Sequence, residues 1–451
     1  MSFRYRPRVH TRPRMETDSV WVATSRISHL FCTSLPADLA DLLDVAVAAY
    51  AADRKSRRSY RGPNTGRRSI ELELSLRNPE RWNESTASEG LGSYLHWLSG
   101  DDWTLDFHRR QTEQSAAETQ ASLFGPPLEA PASVSLFSGG LDSVAGLAGE
   151  VSREPDSSHV LVSGYTHTRL LAHQRRQVRR IRTALEERTT GAGSRVWHMA
   201  VGFGINRPEM RTEEKGQRTR AFVYKALGVA AATLAGTNTL RVFENGIGAL
   251  NLPLNRTQIG VDNYRGVHPR SLKLLEDLLP AVVDRPVRIE NPYLLHTKAE
   301  MCEALPSAGF VDVVDETVSC DRFPLRIRDG PSQCGYCTSC ILRRQALHAS
   351  GLGDLDPGTA YLRDAFGGYD SLSRVQRHGL LTTRDHVFQV RQALGKTDPW
   401  LSLCLTYPQL ADISLEISEH RSIDHELVKQ QMLRLFGAYV SEWQCLASLA
   451  A

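Results

Sequence analysis

Two short stretches of this 451-residue sequence carry residue types and spacings that could do chemistry. The first is SGGLDS at 138–143, which follows the apolar run SVSLF and precedes a helix predicted to begin near Ser143. Two glycines allow a sharp turn and let an oxygen-rich ligand approach the backbone amides closely. A helix starting directly after them would aim its free N–H groups and the positive end of its dipole at the same point. The stretch therefore predicts a phosphate-binding turn, with Ser138 and Ser143 as hydroxyl donors.

The aspartate inside this turn restricts the kinds of phosphate site that the stretch could form. A carboxylate at Asp142 would repel phosphate groups unless a Mg²⁺ ion bridges them. No Gly-Lys-Ser/Thr ending follows, so the stretch is not a Walker A loop, and it also lacks the third glycine of a dinucleotide fingerprint. The alternative is a tight strand-to-helix turn with a Ser or Asp cap, which needs no ligand.

The second stretch is a cysteine cluster, made of Cys320 and the C-x2-C-x2-C run at Cys334, Cys337 and Cys340. Four thiolates at this spacing can surround one Zn²⁺ ion tetrahedrally, and full coordination leaves no open position for a substrate. We therefore expect a structural zinc site, which stabilises the local fold. An iron–sulfur cluster and disulfide bonds are the alternatives. The remaining cysteines are scattered and are expected to be buried thiols: Cys32, Cys302, Cys404 and Cys445.

Composition excludes some classes of function. The chain has 41% hydrophobic and 23% charged residues, as in ordinary globular proteins. Its 54 basic and 51 acidic residues leave a formal charge of +3, so no overall field indicates nucleic acid or a membrane surface. The longest apolar stretch, at 226–236, is too short to span a bilayer, and the N-terminus lacks the apolar core of a secretory signal. We expect a cytoplasmic protein.

The pattern of apolar and polar residues divides the chain into three parts, whose helices and strands must position these motifs. Residues 1–128 are expected to form an α+β domain, with a helix at 38–54 and a strand at 68–76. Residues 129–350 alternate strands with helices, which is typical of a parallel sheet covered on both faces. Residues 351–451 are expected to form a helical extension without recognisable chemistry. Strands of the central α/β part are predicted at 133–137, 159–165, 195–201 and 239–246, and helices at 170–188 and 219–236.

In this setting, SGGLDS resembles the pyrophosphatase loop of the PP-loop ATPase superfamily, whose core is a parallel-sheet, adenine nucleotide alpha hydrolase-like fold. Members of that superfamily cleave ATP between its α and β phosphates and form an acyl or imidoyl adenylate. The resemblance implies that the residues of the turn bind ATP around the departing pyrophosphate: Ser138, Gly139, Gly140, Leu141, Asp142 and Ser143.

The turn and the cysteine cluster together resemble the QueC family of 7-cyano-7-deazaguanine (preQ0) synthases, over about residues 133–348. The segments KGQRTRAF at 215–222, ENGIG at 244–248 and NPYLLHTKAEM at 291–301 add to the resemblance. QueC enzymes adenylate the carboxylate of a 7-deazaguanine, because AMP is a far better leaving group than oxide. An amine can then form an amide, and QueC uses ammonia and a second ATP to convert that amide to a nitrile.

The resemblance implies ATP, Mg²⁺ and structural Zn²⁺ as cofactors, and it assigns roles to single residues. Lys298 would neutralise phosphate charge during adenylation, with Asp142 as a second catalytic residue. Arg218 or Arg220 would face the substrate carboxylate or the α-phosphate, and we take Arg218 as the catalytic one. A surface lysine and a solvated arginine pair are the alternatives. The remaining assignments are Asn245 and Gly246 in the adenylate or purine pocket, and Arg220, Asp262 and His268 at the substrate.

Two departures from the QueC pattern direct the functional prediction. The chain adds about 130 residues before the shared part and about 100 after it. The family's substrate segment, Asp followed by Tyr-Pro-Asp-Cys, is replaced by GVDNYRGVHPRSLKLLEDLL at 260–279. In its length, the chain resembles the extended, QatC-like members found in bacterial antiphage operons. We predict an AMP-forming ligase that joins a 7-deazaguanine acid to an amine, with a protein of the same defence operon as partner or acceptor.

Other functions remain open for the same residues. An ordinary preQ0 synthase would use ammonia efficiently and proceed to the nitrile. A non-catalytic nucleotide-binding subunit of a defence complex would release no AMP with any acceptor, although the intact SGGLDS turn disfavours it. A tRNA-modifying PP-loop enzyme is less favoured, because the basic stretches near 54–68 and 169–182 are not interleaved with aromatic residues.

Overall fold

The computed structural model describes residues 2–7, 16–58, 66–111, 118, 132–206, 214, 216–254, 265–325 and 332–446. These residues form a mixed α/β fold with a mostly parallel sheet and a helical C-terminal region. The strands are β1 (Ser2–Pro7), β2 (Glu16–Val22), β3 (Ser69–Leu76), β4 (Asp102–Arg109), β5 (Ala132–Leu136), β6 (Ser158–Tyr165), β7 (Val196–Asn206), β8 (Thr239–Arg241) and β9 (Arg288–Glu290).

The α-helices alternate with these strands and then continue alone to the C-terminal end of the described chain. They are α1 (Ser25–Phe31), α2 (Ala37–Lys55), α3 (Pro79–Asn83), α4 (Ser85–Ser99), α5 (Leu141–Arg153), α6 (Thr168–Arg188), α7 (Arg220–Leu234), α8 (Gly246–Leu250), α9 (Pro269–Val282), α10 (Lys298–Cys302), α11 (Ala304–Ala308), α12 (Thr338–Ala349), α13 (Arg374–Leu394), α14 (Pro399–Thr406), α15 (Gln409–Arg421) and α16 (His425–Leu446). None of these helices is both long and apolar enough to cross a membrane.

The strand order shows where a ligand site is expected. The sheet runs β4-β3-β1-β2-β7-β6-β5-β8-β9, and every neighbouring pair from β7 to β9 is parallel. The chain leaves β5 toward β6 on one side and later continues through β8 on the other side. In open parallel sheets, ligands bind outside the carboxyl ends of the strands at such a reversal point. The segments that follow β5 and β8 therefore border the expected site.

Helices cover both faces of this parallel half. On one face, α7 and α9 share a continuous hydrophobic cluster with α2 and α4 of the N-terminal region. On the other face, α5, α6, α10 and α11 form a second cluster. Helix α2 is buried on nearly all sides: its alanines and leucines pack in the cluster, and arginines cover two of its aspartates, Asp41 by Arg77 and Asp53 by Arg68.

The N-terminal strands extend the same sheet. Strand β2 pairs antiparallel with β7, with Val22 opposite Phe203 and Ser19 opposite Asn206. Strand β1 is antiparallel to both β2 and β3, and β4 adds to β3 in parallel. The N-terminal region and the central part therefore share one sheet and one hydrophobic cluster. The predicted boundary between them, near residue 128, lies outside the described residues, so the division into domains stays a prediction.

The predicted helices and strands of the parallel half lie close to their predicted positions, with two differences. Strand β7 continues to Asn206, beyond the predicted end at residue 201, and its last residues pair with β2. The predicted strand at 239–246 ends early: β8 stops at Arg241, and α8 begins at Gly246. The cause is Asn245, whose side chain accepts a hydrogen bond from the Gly248 amide and so favours a helix start. The C-terminal region is helical as predicted, and it packs as a third hydrophobic cluster against α8 and Leu294.

Candidate functional site

The glycine turn lies at the carboxyl end of β5 and begins α5, as the sequence predicts. Gly139 has a φ of +84°, and a Cβ at this position would lie 2.4 Å from Gln177 Oε1, so only glycine fits. The Gly139 amide donates to Ser143 Oγ at 3.2 Å, and the Gly140 amide donates to Ser138 Oγ at 3.1 Å. The two serines therefore fix the shape of the turn and gather its amides at the start of the helix.

The turn is also held from outside, through the carbonyl oxygen of Gly139. It accepts hydrogen bonds from Gln177 Nε2 at 2.8 Å and from the Val318 amide at 3.2 Å, and His173 Nε2 lies 3.3 Å away. His173 and Gln177 are buried on α6, and sequence reasoning missed both. The available signal was two polar residues beside the apolar stripe of this helix.

Three ionisable side chains meet beside the turn: Asp142, Glu244 and Lys298. Lys298 Nζ lies 2.5 Å from Asp142 Oδ2, and the two side chains are only 5% and 15% exposed. Burial and the neighbouring Asp142 carboxylate raise the pKa of Glu244, which follows β8, well above its ordinary value. Burial also opposes charge on Lys298, but the Asp142 and Glu244 carboxylates outweigh burial and raise the pKa of Lys298. Lys298 therefore stays cationic between two carboxyl groups.

Lys298 is the first residue of α10, and a capping box fixes the start of that helix. Thr297 Oγ1 accepts from the Glu300 amide at 3.1 Å, and Glu300 Oε2 accepts from the Thr297 amide at 2.7 Å. The Thr297 hydroxyl also donates to Glu442 of α16. Gln345 Nε2 donates to the second oxygen of Glu442 at 2.8 Å. The C-terminal region thus helps to hold the helix that carries Lys298.

The turn and the three charged groups line one cavity of about 580 Å³, a volume within the range of small-molecule sites. Its polar wall includes Ser138, Gly140, Asp142, Glu244, Lys298 and Ser319. Its apolar wall includes Phe243, Ile247, Leu250, Leu252, Phe436 and Tyr439. Because its lining combines an ammonium group and a helix start with apolar side chains, the cavity could hold a ligand with phosphate groups and a flat apolar part.

The four cysteines of the predicted cluster come together. Their sulfur atoms all lie within 4.8 Å of one another, and Cys334 Sγ is 3.9 Å from Cys340 Sγ. Four sulfurs bound to one zinc ion at the corners of a tetrahedron would lie about 3.8 Å apart, whereas a disulfide needs about 2 Å. Backbone amides donate to Cys320 Sγ and Cys334 Sγ at 3.3 Å, as is common around metal-bound thiolates. The cluster therefore suggests a zinc site.

The scattered cysteines are not all buried. Cys302 is fully buried in α10 as predicted, but Cys32 and Cys404 are partly exposed, so the expectation of buried thiols was wrong for these two. Cys32 is the left-handed residue that ends α1, and Cys404 lies on the partly solvated side of α14. The side chain of Cys445 lies outside the described residues.

The cysteine segment also forms part of the cavity wall. Ser319, next to Cys320, accepts a hydrogen bond of 3.5 Å from the amide of Leu141, the first residue of α5. Ser339 Oγ donates to Asp321 at 2.6 Å, and both side chains line the cavity. A metal ion bound by the cysteines would therefore fix the residues that face the glycine turn.

The two predicted arginines lie away from this cavity. Arg218 donates to the carbonyl oxygen of Ser99 at 2.9 Å, at the end of α4. Arg220 donates to Gln217 Oε1 at 2.8 Å, and its guanidinium lies 5.7 Å from the centre of the Tyr224 ring. Within the described part of the chain, neither arginine is among the residues that line the cavity.

The other predicted pocket residues have local structural contacts. Asn245 caps α8, and a Cβ on Gly246 would lie 2.4 Å from the carbonyl oxygen of Leu294; the neighbours that reach the cavity are Glu244 and Gly248. His268 caps α9 and packs on Trp97, and burial lowers the pKa of His268 to about 3. Asp262 lies outside the described residues, as does the nearby Tyr264.

Comparison with known families finds a match for the part of this site that lies between β8 and the cysteine cluster. Residues 239–351 match the model of a family described as queuosine biosynthesis protein QueC. The matched segment runs from β8 through Lys298 and the four cysteines, and it does not include the glycine turn. The match supports a QueC-like relationship and suggests an ATP-utilising enzyme. A search of curated proteins finds no match to the chain.

The carboxylates of the site fit a Mg²⁺ ion, which would accompany ATP. Asp142 Oδ1 is buried and has no hydrogen-bond partner among the described residues. The Glu244 carboxyl group lies close enough to Asp142 for the two to interact. Mg²⁺ is commonly bound by one or two carboxylates together with phosphate oxygens, so Asp142 and Glu244 would hold it. There it would reduce the negative charge of the phosphates.

Proposed function

We propose that this protein is an AMP-forming, ATP-dependent ligase with a PP-loop core, which activates the carboxylate of a 7-deazaguanine and transfers it to an amine. One observation carries the proposal. Lys298, inside the segment that matches QueC, forms an ion pair with Asp142 of the glycine turn, outside that segment. The pair joins the glycine turn to the QueC-like half at one cavity, which supports a shared site for the two.

In the proposed first step, an oxygen of the substrate carboxylate attacks the α-phosphorus of ATP. The bond from the α-phosphorus to the oxygen that bridges to the β-phosphate breaks, and pyrophosphate leaves. The N–H groups in the first turn of α5 would bind the departing pyrophosphate, and the two serines of the glycine turn hold the backbone in the shape that this requires. The Lys298 ammonium would neutralise charge that develops on the phosphate oxygens. No general base is required for this step, because the attacking carboxylate is already ionised.

In the second step, an amine attacks the carbonyl carbon of the acyl adenylate. The bond between that carbon and the phosphate oxygen breaks, AMP leaves, and the nitrogen loses a proton to give an amide. We propose that the amine belongs to a partner protein of the same antiphage defence operon. Support for this part comes from the resemblance to the extended QueC-like type and from the side chains that α13 and α16 place on the cavity wall.

Product analysis would test the proposal. The protein is incubated with Mg²⁺, ATP and 7-carboxy-7-deazaguanine, with ammonia or candidate operon proteins as acceptors, and the products are separated by chromatography and mass spectrometry. We expect AMP and pyrophosphate only when the acid is present, and an acyl mass increase on one protein. Formation of ADP would contradict adenylation. Efficient nitrile formation from ammonia alone would indicate an ordinary preQ0 synthase, and absence of AMP with every acceptor would indicate a non-catalytic nucleotide-binding subunit.

A further inference from the structure

His386 of α13 is a buried polar side chain on the cavity wall. The residue is 1% exposed, and neither Nδ1 nor Nε2 has a hydrogen-bond partner among the described residues. A neutral imidazole carries one N–H donor and one acceptor nitrogen. Buried polar groups in folded proteins are nearly always paired, with protein, water or ligand. The partner of His386 is therefore expected to be water or another molecule bound in the cavity.

Packing fixes the position of this imidazole. The His386 ring meets Tyr407 edge to face at a centroid distance of 5.6 Å, and it is tilted against Tyr439 at 5.8 Å. Burial alone lowers the pKa of His386 to about 4, with no charged neighbour contributing, so the ring is neutral at pH 7. The side chain is thus a rigid, uncharged donor and acceptor.

The surroundings of His386 indicate which part of a ligand it meets. The cavity residues proposed to bind phosphate are Ser138, Gly140 and Lys298, and none of them shares a hydrogen bond with α13 among the described residues. The cavity residues on α16 are Phe436 and Tyr439. Aromatic walls favour flat rings, and one polar group in such a wall commonly sets the orientation of the ligand.

We propose that His386 forms a hydrogen bond with the edge of a planar nitrogen heterocycle and thereby determines which heterocycle the cavity accepts. The proposal deepens the function proposed above and rests on it for the choice of ligand. Two candidates share the required chemistry, the adenine ring of ATP and the 7-deazaguanine ring of the acid. His386 lies outside the segment that matches QueC, so this recognition would be a property of the C-terminal helices.

Direct binding measurements on the full chain would test the role of His386. Binding of Mg²⁺-ATP and of 7-carboxy-7-deazaguanine is measured separately by calorimetry for the wild type, His386→Phe, His386→Gln and His378→Phe. Phenylalanine keeps the volume of the ring and removes both nitrogens, whereas glutamine keeps a donor and an acceptor. His378 is exposed on the same helix and serves as the control.

We expect His386→Phe to weaken one of the two ligands at least tenfold and to leave the other within about twofold, which identifies the heterocycle. His386→Gln should lose less affinity for that ligand, and His378→Phe should lose none. The Tm of ligand-free His386→Phe should equal or exceed that of the wild type, because an unpaired polar group is replaced by an apolar ring. Unchanged binding of both ligands in His386→Phe, weakening of both with a lowered Tm, or no binding of either ligand by the wild type would overturn the assignment.

This test is independent of turnover. Binding that depends on His386, without any AMP formation, would support the assignment and reject the proposed ligase activity. AMP formation together with unchanged binding in His386→Phe would support the proposed ligase activity and reject the role of His386.

Discussion

Lys298 Nζ lies 2.5 Å from Asp142 Oδ2, although 156 positions separate the two residues in the sequence. The pair connects the first turn of α5 with the first turn of α10, at the carboxyl edge of the parallel strands. Glu244 lies beside both groups and reaches the cavity from the end of β8. The structural and the proposed catalytic contributions of this pair can be separated by substitution.

Replacement of Lys298 by glutamine should reduce AMP formation by about 100-fold or more, because the ammonium group that neutralises charge on the phosphate oxygens would be lost. The substitution should also destabilise the fold, since breaking a buried ion pair costs about 3–5 kcal/mol. Protonation of the carboxyl group that is left unpaired would lessen that cost. AMP release and denaturant unfolding measure the two effects. Lys273→Gln is the control: its partner Asp277 is exposed on α9, and such pairs contribute about 1 kcal/mol at most. Full activity of K298Q would contradict the proposed role.

Alanine at Gly139 should disrupt the turn, and Gly191 offers a matched control. Both glycines have a φ near +83°, but a Cβ at Gly139 would lie 2.4 Å from Gln177 Oε1, whereas one at Gly191 meets nothing within 4 Å. Both substitutions should lose about 1 kcal/mol or more of stability through backbone strain. Only Gly139→Ala should also lower AMP formation, by about tenfold or more, because 1 Å displacements misplace reacting groups. Similar activities of the two variants would show that the turn does not position the phosphates.

Metal analysis should find one zinc ion per chain. Elemental analysis of the purified protein gives the zinc-to-protein ratio, and Cys334→Ser should lose the metal and lower the Tm, because binding of a structural metal is coupled to folding. Cys404→Ser removes a partly exposed thiol outside the cluster and should keep both the metal and the Tm. Iron and sulfide in place of zinc would establish the iron–sulfur alternative.

Affinity for Mg²⁺-ATP should increase with pH through the titration of Glu244. Burial and Asp142 raise the pKa of this group above 4.5, so the folded chain retains a proton that the unfolded chain releases. The contribution of this group to stability therefore falls as the pH rises above 4.5 and approaches the raised pKa. Binding of Mg²⁺ must displace the same proton, so affinity should rise over that interval. Calorimetry from mildly acidic to neutral pH should show this slope in the wild type and a smaller one in Glu244→Gln; equal slopes would exclude Glu244 as a ligand.

Strands β5 to β8 and the helices between them could be predicted because their signals are local, whereas α9 and β9 were not predicted. Buried strands appear as short apolar runs, and α6 shows its apolar stripe at Val178, Ile181 and Leu185. The N-terminal strands β1, β2 and β4 were missed. Their position depends on long-range pairing, such as that of Ser19 with Asn206, which no local pattern encodes. β-propensity depends strongly on such context.

Only part of the candidate site, like only part of the fold, could be predicted from the sequence. Its contiguous motifs, the glycine turn and the cysteine run, could be recognised from residue types and spacing. The isolated polar residues could not: Glu244, His173 and Gln177 acquire their roles only when the turn, α6 and β8 meet. His386 was missed for the same reason, because nothing in α13 marks its one buried histidine as a cavity residue.

The pairing of β2 with β7 limits how this protein can be divided. A fragment trimmed to begin at β5 would leave the backbone of β7 bare from Phe203 to Asn206 and would uncover the apolar surface that α2 shields. Unprotected strands of this kind recruit strands from other molecules, so the fragment should aggregate. The N-terminal segment therefore protects the QueC-like half from association with other chains, and we expect its removal to cost solubility.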